Sequence, residues 1–263
     1  MIKPSLFSAD IDNSFRSRGC KVSISIDTLN HDPDVDYKVL IQVEPPSVKN
    51  LIKPIIKHCP YFDLILAWHP DILRHCPNSR KFIFGDCWVE LSTFRNDKKN
   101  EISFLTSSKY STPGHLLRNE IFNLLSSRDT VNGFSIRSIK TPPRLETKNS
   151  IFENAKFSII VENESCPNWI TEKLIDCLST RTIPIYYGCP NVGEYFEEEG
   201  ILSFSNVEEL KSILESLTLH TYDNLKDAVE INYVRSLQYH NFHQRVDKEI
   251  DKYVELHGTL IRN

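Results

Sequence analysis

Short apolar runs alternate with amphipathic stretches along this chain of 263 residues. The runs are rich in valine, isoleucine and phenylalanine and too short for helices, so they predict buried strands. The predicted strands are 22–26, 39–43, 64–68, 82–84, 102–105, 157–161, 183–187 and 201–204. The predicted helices, each with one apolar face, are 48–57, 115–125, 171–178 and 207–217. This alternation is typical of an α/β fold with parallel sheets.

The stretch 139–150 interrupts the pattern. It is polar, contains Pro142-Pro143 and lacks periodicity, which is typical of a linker or a long loop. We therefore divide the chain into an N-terminal lobe, 1–138, a linker, 139–150, and a C-terminal lobe, 151–263. A last helical pattern at 245–257 has one apolar face and is expected to pack across both lobes.

Residues 157–193 combine a strand, a polar loop, a helix and a second strand. The first strand ends abruptly in Glu162-Asn163-Glu164-Ser165, and Thr171 is a good N-cap for the helix that follows. In open α/β sheets, ligands bind beyond the carboxyl ends of the strands and at helix N-termini. The segment therefore predicts a ligand site.

Lys173 stands in the first turn of that helix, where the macrodipole favours acidic side chains. Free backbone N–H groups, the dipole and an ammonium group together form a phosphate cradle. Glu172 beside it is suited to accept hydrogen bonds from ribose or sugar hydroxyls. The alternative is a solvated helix start with a Glu–Lys pair. The buried strands on both sides favour the phosphate interpretation.

The same segment resembles the donor-site signature of glycosyltransferase family 10, the α-1,3-fucosyltransferases. The matching residues are Phe157, Glu162, Asn163, Thr171, Glu172, Lys173, Ile183-Pro184-Ile185 and Gly188. The resemblance implies two Rossmann-like lobes in the GT-B type glycosyltransferase architecture, with the active-site cleft between them. It also implies that the C-terminal lobe binds a nucleotide sugar, GDP-fucose.

A weaker resemblance lies upstream, where 101–109 and 114–119 are similar to a strand, loop and arginine-bearing helix of the family. By this match Arg118 clamps the donor diphosphate in a bidentate way, and Lys109 adds positive charge. The alternative for Arg118 is an ordinary surface arginine. Asn163, Glu162 and Trp169 are expected to shape the pocket, although Trp169 stands where the family usually has tyrosine.

The catalytic base is less well matched. In the family a carboxylate just past the second strand is thought to be the general base. Here that place reads His69-Pro70-Asp71, with no glutamate in register. Asp71 or His69 is therefore the expected base, and either residue has the alternative of being merely polar.

Composition narrows the classes of function. The chain has 31 basic and 35 acidic residues, a net charge of −4, so it lacks the basic field of a nucleic-acid-binding protein. No apolar run has the length of a membrane span, and the start Met1-Ile2-Lys3 is unlike a signal peptide. These features predict a cytoplasmic protein of bacterial or viral type without a membrane anchor. The seven cysteines, an odd number, suggest reduced thiols.

Other ligand motifs are weak. His-Cys-Pro occurs at 58–60 and again at 75–77, but without the tight cysteine pairs of zinc sites, so we expect no metal. The Asp-x-Asp of 32–36 precedes a strand and is interpreted as a turn. ATPase and nicotinamide-binding functions lack their glycine-rich loops.

Together these features predict an inverting glycosyltransferase that moves fucose from GDP-fucose to a glycan hydroxyl, in carbohydrate biosynthesis or protein glycosylation. No cofactor is expected to be essential, and a divalent cation is expected at most to stimulate. Three alternatives stay open. The enzyme uses another GDP-sugar such as GDP-mannose, the chain binds a nucleotide sugar without catalysis, or it is a structural α/β protein whose Lys173 binds no ligand.

Overall fold

The computed structural model describes residues 14–17, 19–91, 97–141 and 148–257. Within these ranges the strands form two separate sheets, one of five strands and one of six. Helices cover both sheets, and no helix among the described residues is both long and apolar enough to cross a membrane.

The first sheet contains the N-terminal strands. Its region comprises β1 (Ser14–Ser17), β2 (Cys20–Ile26), β3 (Tyr37–Ile41), α1 (Ile52–His58), β4 (Leu64–Ala67), α2 (Pro70–His75) and β5 (Ser79–Lys81). The strands lie in chain order, and β2 to β5 are parallel. Alternate residues point to opposite faces. Thus Val39 and Leu64 belong to the core cluster on one face, whereas Leu40 and Ile65 pack with α1 and α2 on the other.

The second sheet has the order β11-β10-β9-β6-β8-β7. Its region comprises β6 (Lys99–Ser107), α3 (Pro113–Leu125), β7 (Thr130–Val131), β8 (Phe134–Thr141), α4 (Asn149–Phe152), β9 (Ala155–Val161), α5 (Glu172–Ser179), β10 (Ile183–Tyr187), β11 (Leu202–Ser203) and α6 (Val207–Ser216). All pairings except β7 with β8 are parallel. Helices α3 and α6 cover one face, and α4 and α5 the other.

Three more helices complete the chain: α7 (Thr221–Asn224), α8 (Lys226–Ser236) and α9 (Phe242–His257). Helix α8 packs beside α5, where Ser179 and Ser236 share a hydrogen bond of 2.9 Å between their hydroxyl oxygens. Helix α9 returns to the first sheet and buries Val246, Ile250 and Val254 in its core. The C-terminal helix therefore belongs to the core of the N-terminal sheet.

The structure moves the division between the sheets. We placed it at 139–150, but β6 pairs with both β8 and β9, so residues 99–141 belong to the second sheet. The first residues of the predicted linker are the end of β8, residues 142–147 lie outside the described residues, and α4 follows. The sheet changes between Lys81 and Lys99, a boundary without a proline- or glycine-rich signature.

The run 82–84 is buried but is not a strand. The strand of this region is β5, and Phe82 and Phe84 pack edge-on against Phe242 of α9. An apolar run that lies under a helix needs no strand partner, so periodicity cannot distinguish the two cases. Helices α2, α4, α7 and α8 were missed, the first three because they are short and α8 because its faces differ little in polarity.

Arg245 fastens α9 to the segment that joins the two sheets. Its guanidinium donates to the carbonyl oxygens of Ile83 at 3.0 Å and Phe84 at 2.8 Å, and also to that of Gly85. Burial lowers the pKa of Arg245 to about 10. The contact holds the first sheet, the connecting segment and the C-terminal helix together.

We expect Arg245→Met to lower the free energy of unfolding by about 2–3 kcal/mol, because buried carbonyl oxygens lose their donors. Chemical denaturation measures this change. The matched control is Lys248→Met on the exposed side of the same helix, which should change stability by less than about 0.5 kcal/mol. Equal effects of the two substitutions would contradict the role of Arg245.

Candidate active site

The carboxyl ends of the two sheets face one another and are joined by hydrogen bonds. The Ser47 N–H donates to Glu164 Oε2 at 2.8 Å, and Trp169 Nε1 donates to the carbonyl oxygen of Val43 at 3.0 Å. Asn168 Nδ2 donates to the Trp68 carbonyl oxygen at 3.1 Å. Each bond joins a loop after β3 or β4 to the loop after β9. The two lobes therefore meet at the ends of the sheets that carry their polar loops.

Glu162 organises the loop after β9. Its carboxylate is completely buried and accepts from the Thr171 N–H at 3.1 Å and from the Thr171 hydroxyl at 2.9 and 2.8 Å. The Lys173 ammonium lies 3.3 Å from its second oxygen. We predicted a donor-binding role for Glu162, but a side chain with no exposed surface acts through its neighbours. It fixes the start of α5 against the end of β9.

Lys173 lies in the first turn of α5, as predicted. Besides Glu162, its ammonium contacts the Thr171 hydroxyl at 3.1 Å and Glu172 Oε1 at 3.6 Å. These acceptors offset the unfavourable position of a cation near the positive end of the helix dipole. The side chain keeps 27% of its surface exposed, so the ammonium can reach a ligand at this helix terminus.

Arg118 and Asn163, predicted from separate motifs, are in direct contact. Arg118 Nη2 donates to Asn163 Oδ1 at 2.9 Å, and Nε donates to the Val161 carbonyl oxygen at 2.9 Å. The Gly114 N–H donates to the Asn163 carbonyl oxygen at 2.8 Å, and a Cβ at Gly114 would lie 1.8 Å from the Glu162 carbonyl oxygen. Only glycine allows this approach, which brings the start of α3 to the donor loop.

His115, a residue that sequence reasoning missed, reports the local electrostatic field. Burial and then the positive charges of Arg118, Lys109 and Lys173 lower its pKa to about 4. Three cations from three different segments therefore act on one buried imidazole. The predicted cationic residues converge in the structure, and they do so in a protein whose net charge is negative.

Lys109 is the most exposed of the three cations and follows the end of β6. A hydrogen bond from α3 fixes the loop that carries Lys109: Asn119 Nδ2 donates to the Lys109 carbonyl oxygen at 3.0 Å. The side chain is thus exposed while its backbone is hydrogen-bonded to α3. This arrangement suits a cation at the edge of an anion site.

Glu172 belongs to a network that the motif did not predict. Lys148 Nζ lies 3.1 Å from Glu172 Oε1 and 3.4 Å from Asp176 Oδ2. Burial opposes ionisation of Glu172, but Lys148 and then Lys173 outweigh it and lower the pKa to about 2. Burial prevails at Asp176, where the pKa is raised to about 6. Glu172 is therefore an ionised acceptor at the helix start.

Trp169 is buried where the two lobes meet. Its indole is only 1% exposed and packs against Trp68, with 6.0 Å between the ring centroids. Both indole nitrogens donate to the single carbonyl oxygen of Val43. We expected Trp169 to shape the donor pocket; a side chain with so little exposed surface would do so through its neighbours, and this role stays a prediction. The tryptophan joins the lobes through the hydrogen bond from its indole N–H to the Val43 carbonyl oxygen.

The predicted bases His69 and Asp71 lie at the start of α2. His69 is the N-cap residue, and its Nδ1 accepts from the Asp71 N–H at 3.2 Å. Burial lowers the pKa of His69. The Asp71 carboxylate lies 3.7 Å from Arg74 and lines a shallow groove between α1 and α2. The charges that act on His69 are those of Asp71 and of Glu164 in the loop after β9, and both raise its pKa against the effect of burial.

Glu44, an acidic residue of the first lobe, lies near enough to Lys173 and Lys109 for their charges to act on it. It follows β3, and its chain neighbours on both sides contact the donor loop, Val43 through Trp169 and Ser47 through Glu164. The half-buried carboxylate makes no hydrogen bond or ion pair with the described residues. Burial raises its pKa, whereas the charges of Lys173 and Lys109 lower it.

Asp27 fixes the backbone that carries Glu44. Its two carboxylate oxygens accept from the N–H groups of Val43 and Glu44, both at 2.9 Å. Asp27 itself has a positive φ of 47°, in the left-handed region that aspartate tolerates better than most residues. The sequence signal for Glu44 was its position shortly after a buried strand. The same signal identified Glu162.

Comparison with known proteins agrees with this geometry. The family described as glycosyltransferase family 10 (fucosyltransferase) C-term matches residues 96–253, more than half of the chain. The alpha-(1,3)-fucosyltransferase FucT of Helicobacter pylori is 31% identical over 131 residues, which are 48% of this chain and 26% of that protein. The GDP-fucose protein O-fucosyltransferase 3 of Bos taurus is 30% identical over 97 residues, 32% of this chain and 20% of that protein.

Two solved structures share the fold. An alpha1,3-fucosyltransferase with GDP and one with GDP-fucose each have a TM-score of 0.50 and cover 81% of this chain and 68% of the solved chain, at 17% and 18% identity. The predicted fold class, two Rossmann-like lobes of GT-B type, is confirmed. The segments aligned with the curated relatives make up about a quarter or less of those proteins' length. On the evidence of the family match, the chain belongs to glycosyltransferase family 10, the fucosyltransferase family.

Proposed function

We propose that this protein is an inverting glycosyltransferase that moves fucose from GDP-fucose to a hydroxyl of a glycan acceptor. The observation that carries the proposal is the convergence of Arg118 and Lys173 on the loop after β9, where Arg118 Nη2 binds Asn163 Oδ1 at 2.9 Å and the Lys173 ammonium lies 3.3 Å from Glu162 Oε2. The charges of both residues and of Lys109 add to the effect of burial in lowering the pKa of His115. A cluster of cations at a helix N-terminus suits a diphosphate. Family membership and the two structurally similar proteins, one with GDP and one with GDP-fucose, support this donor.

Each donor-site residue has a role that follows from its placement. Arg118 donates Nε and Nη2 to protein oxygens, which leaves Nη1 for a phosphate oxygen. Lys173 reaches the diphosphate from the first turn of α5. Glu172, held ionised, accepts a hydrogen bond from a ribose or sugar hydroxyl. Glu162 and Asn163 position Lys173 and Arg118 without themselves being the main contacts.

Glu44 is the general base of this proposal, in place of Asp71 or His69. Its carboxylate lies on the first lobe, opposite the cations, which is where an acceptor must enter for attack on the face away from the leaving group. The carboxylate takes the acceptor hydroxyl proton as the acceptor oxygen bonds to the anomeric carbon. The bond from that carbon to the phosphate oxygen breaks, and its electron pair leaves with GDP.

Two other functions differ in what they predict. A transferase for another GDP-sugar such as GDP-mannose needs the same diphosphate site and the same base, and it differs only in the sugar that is transferred. A non-catalytic nucleotide-sugar-binding protein needs the cations but not Glu44. The placement of Glu44 beside the cations favours an enzyme over a binding protein.

We expect Lys173→Ala to weaken GDP binding about 10- to 100-fold, because a charge-assisted contact with phosphate contributes about 1.5–3 kcal/mol. Isothermal titration calorimetry with GDP, and with UDP and ADP for comparison, measures the affinity and its base specificity. The wild type should prefer GDP.

The control for this titration is Lys211→Ala on α6, whose ammonium pairs with Glu208 at 3.4 Å and lies outside the site. It should leave GDP affinity unchanged. Thermal melting of both variants separates lost binding from lost folding. Absence of GDP binding by the wild type would refute the donor site altogether.

We expect Glu44→Gln to lower kcat about 10²- to 10⁴-fold, the usual contribution of a general base, while GDP affinity is retained. GDP release in the presence of an acceptor glycan panel measures turnover. Glu215→Gln, an exposed isosteric change on α6, is the control.

Turnover of the variants Asp71→Asn and His69→Gln is measured in the same assay as that of Glu44→Gln. A larger loss in either variant than in Glu44→Gln would assign the base to α2 instead. Intact GDP binding without turnover of any GDP-sugar by the wild type would favour the non-catalytic binding protein.

No metal ion should be essential for turnover, because Arg118, Lys109 and Lys173 supply the positive charge that a leaving diphosphate requires. We expect kcat in excess EDTA to remain within about threefold of the value with Mg²⁺, a difference of well under one kcal/mol. Complete loss of turnover in EDTA, restored by a divalent cation, would show that these side chains do not suffice.

A further inference from the structure

Lys148 lies in a position that three neighbours define. Its ammonium is 3.1 Å from Glu172 Oε1, 3.4 Å from Asp176 Oδ2 and 4.4 Å from the centroid of the Trp88 ring. Asp176 and Trp88 are joined to one another, because the backbone N–H of Trp88 donates to Asp176 Oδ1 at 2.6 Å. Asp176 is completely buried. The ammonium is therefore held by a rigid acceptor and a ring, and Glu172 is its third contact.

This contact determines the state of Glu172. The Glu172 side chain is only 9% exposed, and burial by itself would favour its neutral form. The charges of Lys148 and Lys173 oppose the effect of burial, and that of Lys148 has the larger effect. Together they lower the pKa of Glu172 to about 2. An ionised carboxylate only accepts hydrogen bonds, whereas a protonated one also donates. Lys148 thus keeps Glu172 ready to accept from a hydroxyl.

Lys173 cannot take over this task while a donor is bound. Its ammonium already divides its contacts among Glu162 at 3.3 Å, Thr171 at 3.1 Å and Glu172 at 3.6 Å. In the proposed function the same ammonium turns to the diphosphate. Each contact that it makes with phosphate weakens its hold on Glu172, and Lys148 is left as the partner that does not change.

We propose that Lys148 is a positioning residue for donor binding: it holds the Glu172 carboxylate in place through their 3.1 Å ion pair and aims it at a donor hydroxyl without contacting the donor. The proposal rests on the proposed function, since it needs Glu172 to bind the donor. It extends the site beyond the family motif to a residue before β9 and to the aromatic ring that covers it.

A double-mutant cycle tests the coupling between the two residues. We expect Lys148→Met and Glu172→Gln each to weaken GDP-fucose binding about tenfold, and the double variant to be weakened about tenfold as well. Titration calorimetry with GDP-fucose and with GDP measures the affinities. Loss with both ligands locates the Glu172 contact on the nucleotide, and loss with GDP-fucose alone locates it on the sugar. Either result supports the proposal.

The matched control is Lys156→Met. Lys156 is also a half-buried lysine above an aromatic ring, 5.4 Å from the centroid of Tyr222, but it lies on β9 away from the site. It should leave both affinities unchanged. If Lys148→Met behaves like this control, or if the double variant loses about a hundredfold, Lys148 and Glu172 act independently and the proposal is wrong.

Two further outcomes are distinguishable from these. If Lys148→Met does not fold, Lys148→Gln enters the same cycle, because its amide still donates to Asp176 while the charge is removed. If the wild type binds neither GDP nor GDP-fucose, the proposed donor site itself is refuted, and the role of Lys148 is refuted with it.

Discussion

The buried carboxylate of Glu162 is the interaction on which the rest of the site depends. A charge without exposed surface is costly unless it is paired and hydrogen-bonded. Here the Thr171 N–H, the Thr171 hydroxyl and the Lys173 ammonium all point to it. Removal of any of them would weaken the stabilisation of a buried carboxylate, so the loop after β9 and the start of α5 are held in one relative position. This constraint fixes Lys173 at the start of α5, and the same loop binds Arg118 through Asn163.

The lobes are joined by buried acceptors that each bind two donors. One carbonyl oxygen, that of Val43, accepts from the indole nitrogens of Trp68 and Trp169 at 3.2 and 3.0 Å. One carboxylate, that of Asp27, binds two successive N–H groups of the loop that continues to Glu44. Because both acceptors are buried, these bonds cannot be exchanged for water without cost. The proposed base therefore stands on a backbone that is fixed to both lobes.

Electrostatics in the site follow from neighbours rather than from composition. The chain as a whole is acidic, yet His115 experiences three positive charges. Glu172 and Asp176 lie one helical turn apart and share Lys148, but burial shifts the pKa of Asp176 upward while the two lysines shift that of Glu172 downward. Titration behaviour here depends on the number of ammonium groups that each carboxylate can reach.

The sequence by itself determined the α/β class, most strands and the donor segment, because periodicity and the order of strand, polar loop and helix are local properties. Lys173 was found in this way, whereas Arg118 was assigned only through the resemblance to the fucosyltransferase family. The tertiary structure decided what local patterns do not contain. It assigned residues 99–141 to the second sheet through the pairing of β6 with β9, and it buried Trp169 between the lobes. It also brought Lys148 to Glu172 and Glu44 to the cations. Such contacts join residues far apart in the chain, so only the packing of the two sheets brings them together.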